Sequence, residues 1–381
     1  MDVAIVKIGA RIATTTTGVR NGNAGENRKI IDLFIENGHN VDLITKVGKK
    51  DNPTEYFEYD KIQSLEIADH YKDTDKYDVL VVINGTNNFF GGYDNYNICE
   101  TYHIINNFKG KILFFYTDPL CALKQVYGKN FFKRNEKWGT DWTEADLLLQ
   151  REDIIMISAA SGVDLNTKPF TSNGVFDKFS KITFFEWQKS VIFDDALDKV
   201  KFEDKELDVM YGGSFRGGVR LNYMLEYMFD TIYTAGFFGK ISEKQFKNSE
   251  YTNTPTFLNK VGGWDFFKEQ TNRALATIIF AEETYSDSIV TMRVYASVLS
   301  NVVVFIDENY DPHHKIFPDS LFSKFLYVSN KEELTRKIGM LKARPDFYAA
   351  LLRAQKSHLS IDKDKFYKDF NNLLTEEYNE K

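Results

Sequence analysis

LDVMYGGSFRGGVR, residues 207–220, joins an apolar run to four glycines and two arginines. Its apolar start, residues 207–211, predicts a buried strand, and residues 221–229 predict a helix. Between them, the glycines at 212, 213, 217 and 218 predict a tight turn. A strand, a turn and a helix in this order are typical of an α/β fold with a parallel sheet.

The same stretch predicts an anion site. A helix that starts just after a strand presents backbone N–H groups and the positive end of its dipole to the end of that strand. Arg216 and Arg220 add two guanidinium groups about one helical turn apart, an arrangement that suits a diphosphate. The glycine spacing matches neither the dinucleotide fingerprint nor the phosphate loop of P-loop NTPases. An ordinary strand-to-helix turn with solvated arginines is the alternative.

Strand and helix patterns alternate along the rest of the chain. Apolar runs without polar alternation indicate strands buried on both faces of a parallel sheet. They occur at residues 3–8, 41–44, 79–83, 112–116 and 154–157, and again at 207–211, 276–279, 302–306 and 325–328. Helical patterns occupy residues 26–37, 96–108, 221–229, 288–299 and 331–341, and residues 169–205 read as connecting structure.

A chain of 381 residues predicts two domains. We expect two Rossmann-like, doubly wound parallel sheets that face a central cleft, where open α/β sheets bind ligands. The predicted boundaries are residues 1–195 for the first domain and 196–347 for the second. Residues 348–381 are predicted to be helices that return to the first domain.

The composition indicates a soluble globular protein, with 43% hydrophobic and 27% charged residues. No signal peptide and no membrane-spanning run is visible, so a cytoplasmic protein without membrane contact is expected. Cys99 and Cys121 have no metal-ligand spacing and are predicted to be small core residues. The net charge of −7 argues against a surface coated for nonspecific binding of nucleic acid.

One segment nevertheless has a basic and aromatic character. Residues 124–137, KQVYGKNFFKRNEK, carry three aromatic side chains among their charges. Such a loop can grip phosphates and support a displaced base, or it can be a solvated loop anchored by its aromatics. The basic residues are Lys124, Lys129, Lys133, Arg134 and Lys137.

Other candidates lie at predicted strand ends and helix starts. Asp118 follows the strand at 112–116 and is either a general base or a turn former before a proline. Residues 84–92, NGTNNFFGG, either admit a ligand or form an anchored polar loop. Glu26 and Arg293 lie near helix starts, where Glu26 could complement the dipole and Arg293 could reach the same anion as Arg216 or form a surface salt bridge.

Two further motifs, one acidic and one of histidines, are weaker candidates for a ligand or metal site. Asp73 and Asp75 form a DxD sequence, which holds a metal-bound diphosphate in some sugar transferases, but its surroundings predict a polar turn. His313 and His314 have no carboxylate at metal-ligand spacing and are predicted to be solvated loop residues.

These motifs together resemble the DNA β-glucosyltransferases of the T-even bacteriophages. The likeness is centred on residues 207–220 and continues through FFGKISEKQFKN (237–248), TMRV (291–294) and FIDE (305–308). NFFGG (88–92) and FYTD (115–118) agree in the first half, in the same order. The resemblance spans most of the chain and implies the GT-B fold.

The resemblance also implies roles for individual residues. Asp118 stands where the family has its catalytic base, Asn88 in the sugar and acceptor region, and Glu26 at a carboxylate near the sugar. Gly239 would lie beside the nucleotide, and Val261 near the backbone that binds uracil. The UDP diphosphate would be held by Gly213, Ser214, Arg216, Arg220 and Arg293.

Two positions depart from the family pattern. Ala296 replaces a glutamate, expected to bind the ribose hydroxyls, three residues after Arg293. Glu282 replaces a shorter aspartate. If Glu282 faces the sugar, its extra methylene leaves less room there, and a pentose such as arabinose would fit better than glucose.

The implied activity is an inverting transfer of a sugar from a UDP-sugar to 5-hydroxymethylcytosine in double-stranded phage DNA, with base flipping towards Asp118. The resemblance implies a cytoplasmic monomer in the infected bacterium, and Mg²⁺ or Mn²⁺ assisting product release without a protein metal site. A GT-B transferase with a small-molecule or polysaccharide acceptor is one alternative. A catalytically silent protein that binds nucleotide-sugar or DNA is another.

Overall fold

The computed structural model describes the chain in two compact units, and the chain passes from the first to the second between Trp187 and Gln188. Each unit is built on a parallel sheet. The described residues are 1–7, 23–45, 64–67, 73–84, 104–116, 153–159, 179–191, 205–215, 218–246, 250–258, 264–280, 290–318 and 322–375.

The sheet of the first unit has seven strands in the order β3-β2-β1-β4-β5-β6-β7. Every pair of neighbours is parallel. Helix α1 (Asn23–Glu36) connects β1 to β2. The strands are β1 (Asp2–Lys7), β2 (Asn40–Thr45), β3 (Ser64–Ile67), β4 (Val79–Asn84), β5 (Lys111–Tyr116), β6 (Ile154–Ser158) and β7 (Phe179–Phe184).

The sheet of the second unit has six parallel strands in the order β10-β9-β8-β11-β12-β13. The strands are β8 (Leu207–Ser214), β9 (Ala235–Lys240), β10 (Thr256–Phe257), β11 (Ala274–Ile279), β12 (Val303–Asp307) and β13 (Tyr327–Val328). The helices are α2 (Val219–Met228), α3 (Trp264–Asn272), α4 (Met292–Leu299), α5 (Ser323–Leu326), α6 (Lys331–Ala343), α7 (Pro345–Leu359) and α8 (Lys363–Thr375). Within the described residues, no helix is both long and apolar enough to span a bilayer.

These sheets confirm the predicted α/β class with two doubly wound parallel sheets. In the second sheet the strand order reverses between β8 and β11, so the carboxyl ends of these two strands flank the crevice where such sheets bind ligands. All residues of β11 and β12 are buried, so both faces of these central strands are covered, which accounts for their apolar sequences. The predicted domain boundaries remain predictions.

The predicted turn at Gly212 and Gly213 is wrong, because β8 continues through both residues to Ser214. Gly212 pairs with Phe238 of β9, and Gly213 pairs with Gly239. A Cβ atom on Gly212 would lie 2.1 Å from Cζ of Phe238. Glycine is therefore present here for close packing, whereas the turn residue is Gly218, with φ +71°.

Other differences have similar local causes. The sequence patterns miss β3, β7, β9 and β10, which are short, polar or glycine-containing, and β7 lies in the predicted connecting segment. The predicted strand at 325–328 begins instead as α5 and becomes β13 only at Tyr327. Helix α4 begins at Met292, four residues later than predicted, because Thr291 is still extended with ψ 150°.

Helix α7 is tied to β12 by the buried side chain of Gln355. The backbone N–H of Val304 donates to Oε1 of Gln355 at 3.1 Å, and Nε2 of Gln355 donates to the carbonyl oxygen of Val302. These contacts lie within the second unit. The return of residues 348–381 to the first domain stays a prediction.

We predict that Gly239→Ala lowers the free energy of unfolding of the second unit by roughly 3 kcal/mol. Gly239 has φ +100°, and a Cβ atom there would lie 2.1 Å from the carbonyl oxygen of Gly213. The control is Gly339→Ala in α6, where nothing lies within 4 Å of the added Cβ. It should stabilise by about 0.5–1 kcal/mol, since alanine favours the helix. Urea denaturation measures both variants, and equal effects would contradict the prediction.

Candidate functional site

The carboxyl end of β8 presents bare backbone to solvent. Gly213 and Ser214 are half-buried, and they pair with Gly239 and Lys240 of β9. Gly239 can lie beside Gly213 only because it has no side chain. A ligand can therefore approach the main chain of both strands closely at this point.

Two helices begin near this end of the sheet without acidic residues. Helix α2 starts after Gly218, which has no side chain to cap it, and α4 starts after Thr291, whose hydroxyl makes no capping hydrogen bond. Neither helix has an acidic residue in its first turn, whereas α6, α7 and α8 all do. Acidic side chains usually complement the positive end of a helix dipole. Their absence leaves that role to a bound anion.

Arginines occupy the first turns instead. Arg220 is the second residue of α2 and is only 7% exposed, and Arg293 is the second residue of α4 and is half-buried. A cation at a helix N-terminus is unfavourable by itself, because it faces the positive end of the dipole. Both placements become favourable when an anion lies between the guanidinium and the helix.

Arg293 is held over the end of β8 by Tyr211. Its Nη1 donates to the hydroxyl of Tyr211 at 2.8 Å, and its Cζ lies 4.7 Å from the centroid of the tyrosine ring. Its Nη2 lies beside Gly213, where a Cβ atom would approach it to 2.8 Å. The structure therefore brings the arginine of α4 to the end of β8, beside Gly213.

An aromatic column supports this end of the sheet. The rings of Tyr211 and Phe280 stack with centroids 4.5 Å apart and an interplanar angle of 1°. Phe280 follows β11 directly and also stacks on Tyr223 and Tyr227 of α2. The column links the strands on both sides of the crevice to α2. Sequence analysis missed it, since each aromatic alone looks like an ordinary core residue.

Asp307 ends β12 beside the column. It is 1% exposed, and it accepts hydrogen bonds from the hydroxyl of Tyr227 at 2.5 Å and from the backbone N–H of Asn309 at 2.9 Å. Burial raises the pKa of Asp307, and burial together with the hydrogen bond to this carboxylate raises the pKa of Tyr227. The carboxylate thus anchors the C-terminal end of α2, and protein donors already occupy its oxygens.

The described residues bring together five of the predicted donor-binding residues on neighbouring elements of the second unit. These are Gly213, Ser214, Arg220, Gly239 and Arg293. Glu26 belongs to the first turn of α1, in the first unit. The remaining predicted site residues lie outside the described residues: Asn88, Asp118, Lys124, Lys129, Lys133, Arg134, Lys137, Arg216, Val261 and Glu282, as do Cys99 and Cys121.

The weaker motifs have structural roles. The backbone N–H of Asp75 donates to Asp73 Oδ1 at 3.2 Å, and Lys109 pairs with Asp75 at 2.9 Å, which confirms the predicted polar turn. His313 is exposed as predicted. The prediction is wrong for His314, whose half-buried ring stacks on Tyr327 with centroids 3.9 Å apart.

Comparison with known proteins gives the family. A family model described as bacteriophage T4 beta-glucosyltransferase matches residues 1–187. The DNA beta-glucosyltransferase of Enterobacteria phage T4 is 31% identical to this chain over 366 residues, which cover 96% of this chain and 94% of that protein. The chain belongs to the T4 β-glucosyltransferase family. The resemblance seen in the sequence is thereby confirmed, and the chain is a glycosyltransferase.

Solved structures agree with this assignment. T4 phage β-glucosyltransferase in complex with its UDP-glucose substrate has a TM-score of 0.74 and 26% identity, over 99% of this chain and 100% of that one. The complex of the same phage enzyme with UDP and Mn²⁺ has a TM-score of 0.72 and 27% identity, with the same coverage. WaaG, a glycosyltransferase of lipopolysaccharide biosynthesis, shares the fold at a TM-score of 0.51 and 13% identity, over 98% of this chain and 100% of that one. The predicted GT-B fold is confirmed.

We predict that Gly213→Ala weakens the binding of inorganic pyrophosphate, because the added Cβ displaces Nη2 of Arg293 from the end of β8. The displaced group is the tip of a flexible side chain, so the melting temperature should change little. Isothermal titration calorimetry and thermal unfolding measure the two effects, with Gly339→Ala as the control. Unchanged pyrophosphate affinity would contradict the role given to this strand end.

Proposed function

We propose that this glycosyltransferase moves a sugar from a UDP-sugar to the hydroxymethyl oxygen of 5-hydroxymethylcytosine in double-stranded DNA, in the cytoplasm of an infected bacterium. The observation that carries the proposal is the anion site at the carboxyl end of β8, where Arg293 lies over the glycines. It occurs in a chain 31% identical to a DNA β-glucosyltransferase. The solved structures of the phage T4 enzyme include complexes with UDP-glucose.

The donor would be held mainly through its diphosphate. Gly213 and Ser214 offer backbone at the strand end, and Arg220, Arg293 and the start of α2 supply positive charge. The family resemblance adds Arg216 to this set, Gly239 beside the nucleotide and Val261 near the uracil. Because charge accumulates on the diphosphate as the sugar leaves, the same groups would stabilise the transition state.

The transfer step would use Asp118 as the general base. Asp118 takes the proton of the hydroxymethyl group while its oxygen attacks C1 of the sugar from the face opposite UDP. The new bond between oxygen and C1 forms as the bond between C1 and the diphosphate oxygen breaks. Attack from the opposite face inverts the configuration at C1. Glu26 and Asn88 would contact the sugar and the acceptor.

The acceptor base would be reached by flipping it out of the duplex. The segment 124–137 would contact the DNA phosphates through its five basic residues and support the displaced base through its aromatics. We propose that a monomer binds the DNA.

A divalent cation is implied by the relative solved with UDP and Mn²⁺. Within the described residues, no group of three histidine, cysteine, aspartate or glutamate side chains could hold a metal ion. These residues do not form a protein metal site.

The identity of the transferred sugar is the most specific part of the proposal. The relatives support glucose, since a family structure contains UDP-glucose. Glu282 favours a pentose such as arabinose as the second candidate, because its side chain is one methylene longer than the aspartate of the relative and would crowd a C6 hydroxymethyl group.

The donor test uses duplex DNA with 5-hydroxymethylcytosine and an equimolar mixture of UDP-glucose and UDP-arabinose. Mass spectrometry of the digested nucleosides gives the mass that the transferred sugar adds to each nucleoside. This added mass differs between a hexose and a pentose by one CH₂O unit. We expect modification only of hydroxymethylated DNA, and unmodified duplex is the control. Glu282→Asp should shift the product ratio towards glucose. A clear preference of the unaltered enzyme for UDP-glucose would remove the pentose hypothesis.

Asp118→Asn should lower kcat by roughly 100-fold or more, since an amide cannot accept the proton. UDP affinity, measured by calorimetry, should be nearly unchanged. Asp73→Asn is the matched control, because Asp73 lies in an exposed turn and asparagine preserves its acceptor oxygen. Near-normal turnover by the Asp118 variant would eliminate this residue as the base.

A further inference from the structure

Tyr211 is the neighbour of Arg293 to which the proposed function gives no role. It is fully buried within β8, two residues before Gly213. It contacts the guanidinium both through its hydroxyl, at 2.8 Å from Nη1, and through its ring, at 4.7 Å from Cζ. An arginine hydrogen-bonded to a hydroxyl and placed over the same ring combines a charge-assisted hydrogen bond with a cation–π contact.

The tyrosine ring is itself fixed in place. Phe280 stacks on it with an interplanar angle of 1°, and Phe237 of β9 packs edge-on with centroids 6.0 Å apart and an angle of 83°. The backbone of Tyr211 is paired with that of Phe237 in the sheet. Since neither ring nor backbone can move without disturbing the core, the hydroxyl is a fixed acceptor.

The contact with Tyr211 determines which part of the arginine can meet a ligand. Nη1 is turned towards the tyrosine, while Nη2 lies in the space beside Gly213 that a Cβ atom would otherwise fill. Nη2 is therefore the nitrogen next to the bare strand end. An arginine held this way loses little further side-chain freedom when an anion binds.

We propose that Tyr211 is a positioning residue for the donor diphosphate, holding the guanidinium of Arg293 in its binding orientation before the donor arrives. The proposal rests on the proposed function, because it assumes that Arg293 binds the diphosphate. It assigns to a buried core residue part of the nucleotide affinity. The chemical class of the ligand is a nucleoside diphosphate.

Tyr211→Phe tests this role, since phenylalanine keeps the ring and its stacking but removes the acceptor hydroxyl. We expect UDP to bind roughly ten-fold more weakly, the effect of losing one hydrogen bond to a charged group. Isothermal titration calorimetry with UDP gives the affinity, and thermal unfolding shows whether the fold is retained. Unchanged UDP affinity in the folded variant would overturn the proposal.

Tyr233→Phe is the matched control. Its hydroxyl is also buried in the second unit, but it donates to the carbonyl oxygen of Tyr227 and does not contact Arg293. This variant should lose stability and keep its UDP affinity. An equal loss of affinity in both variants would show a general effect of removing a buried hydroxyl and would overturn the role of Tyr211.

A double-mutant cycle tests the role of Tyr211 separately from its premise, which is that Arg293 binds the diphosphate. Arg293→Ala should weaken UDP binding, and adding Tyr211→Phe to it should cause no further loss, because the tyrosine acts through the arginine. A further ten-fold loss would show that Tyr211 acts independently of Arg293 and would overturn the proposal alone. Unchanged UDP affinity in Arg293→Ala would overturn both the diphosphate assignment and the role of Tyr211.

Discussion

The close approach of β8 and β9 at Gly213 and Gly239 is the constraint on which the candidate site depends. The two strands keep their parallel pairing to the last residue only because Gly239 carries no side chain that would meet the backbone of Gly213. The same lack of a Cβ at Gly213 leaves space for the guanidinium of Arg293, which reaches the strand from α4. The missing side chains of these two glycines therefore determine both the backbone geometry at the strand end and the position of the Arg293 guanidinium.

The charges at the starts of α2 and α4 favour an anionic ligand at this site. Arg220 and Arg293 stand in the first turns of their helices, where a cation opposes the dipole. Neither first turn contains an acidic residue that would offset this positive charge. An anion bound between such a guanidinium and the helix start would offset both positive charges, so part of its affinity would come from the fold and not from any one hydrogen bond.

The sequence predicted the parts of this structure that depend on local pattern. ILFFY (112–116) reads as a buried strand because its apolar run has no polar alternation, and β5 (Lys111–Tyr116) forms there. Gly212 was misread, because a glycine that accommodates the Phe238 ring looks identical to one that makes a turn. The contact between Tyr211 and Arg293 spans 82 positions, and no periodicity encodes it. The sequence left two interpretations of Arg293 open, an anion ligand and a surface salt bridge; the structure places it beside Gly213, and its role as an anion ligand stays a prediction.

The bonds of Gln355 to β12 have a consequence for how the second sheet ends. Strand β13 pairs only with Ile306 and Asp307, so the earlier part of β12 has no strand beside it on that side within the described residues. There the carboxamide of Gln355 accepts from Val304 N–H and donates to the carbonyl of Val302, as a peptide group of a neighbouring strand would. A single side chain thus completes the ladder and closes an edge that could otherwise recruit a strand from another molecule.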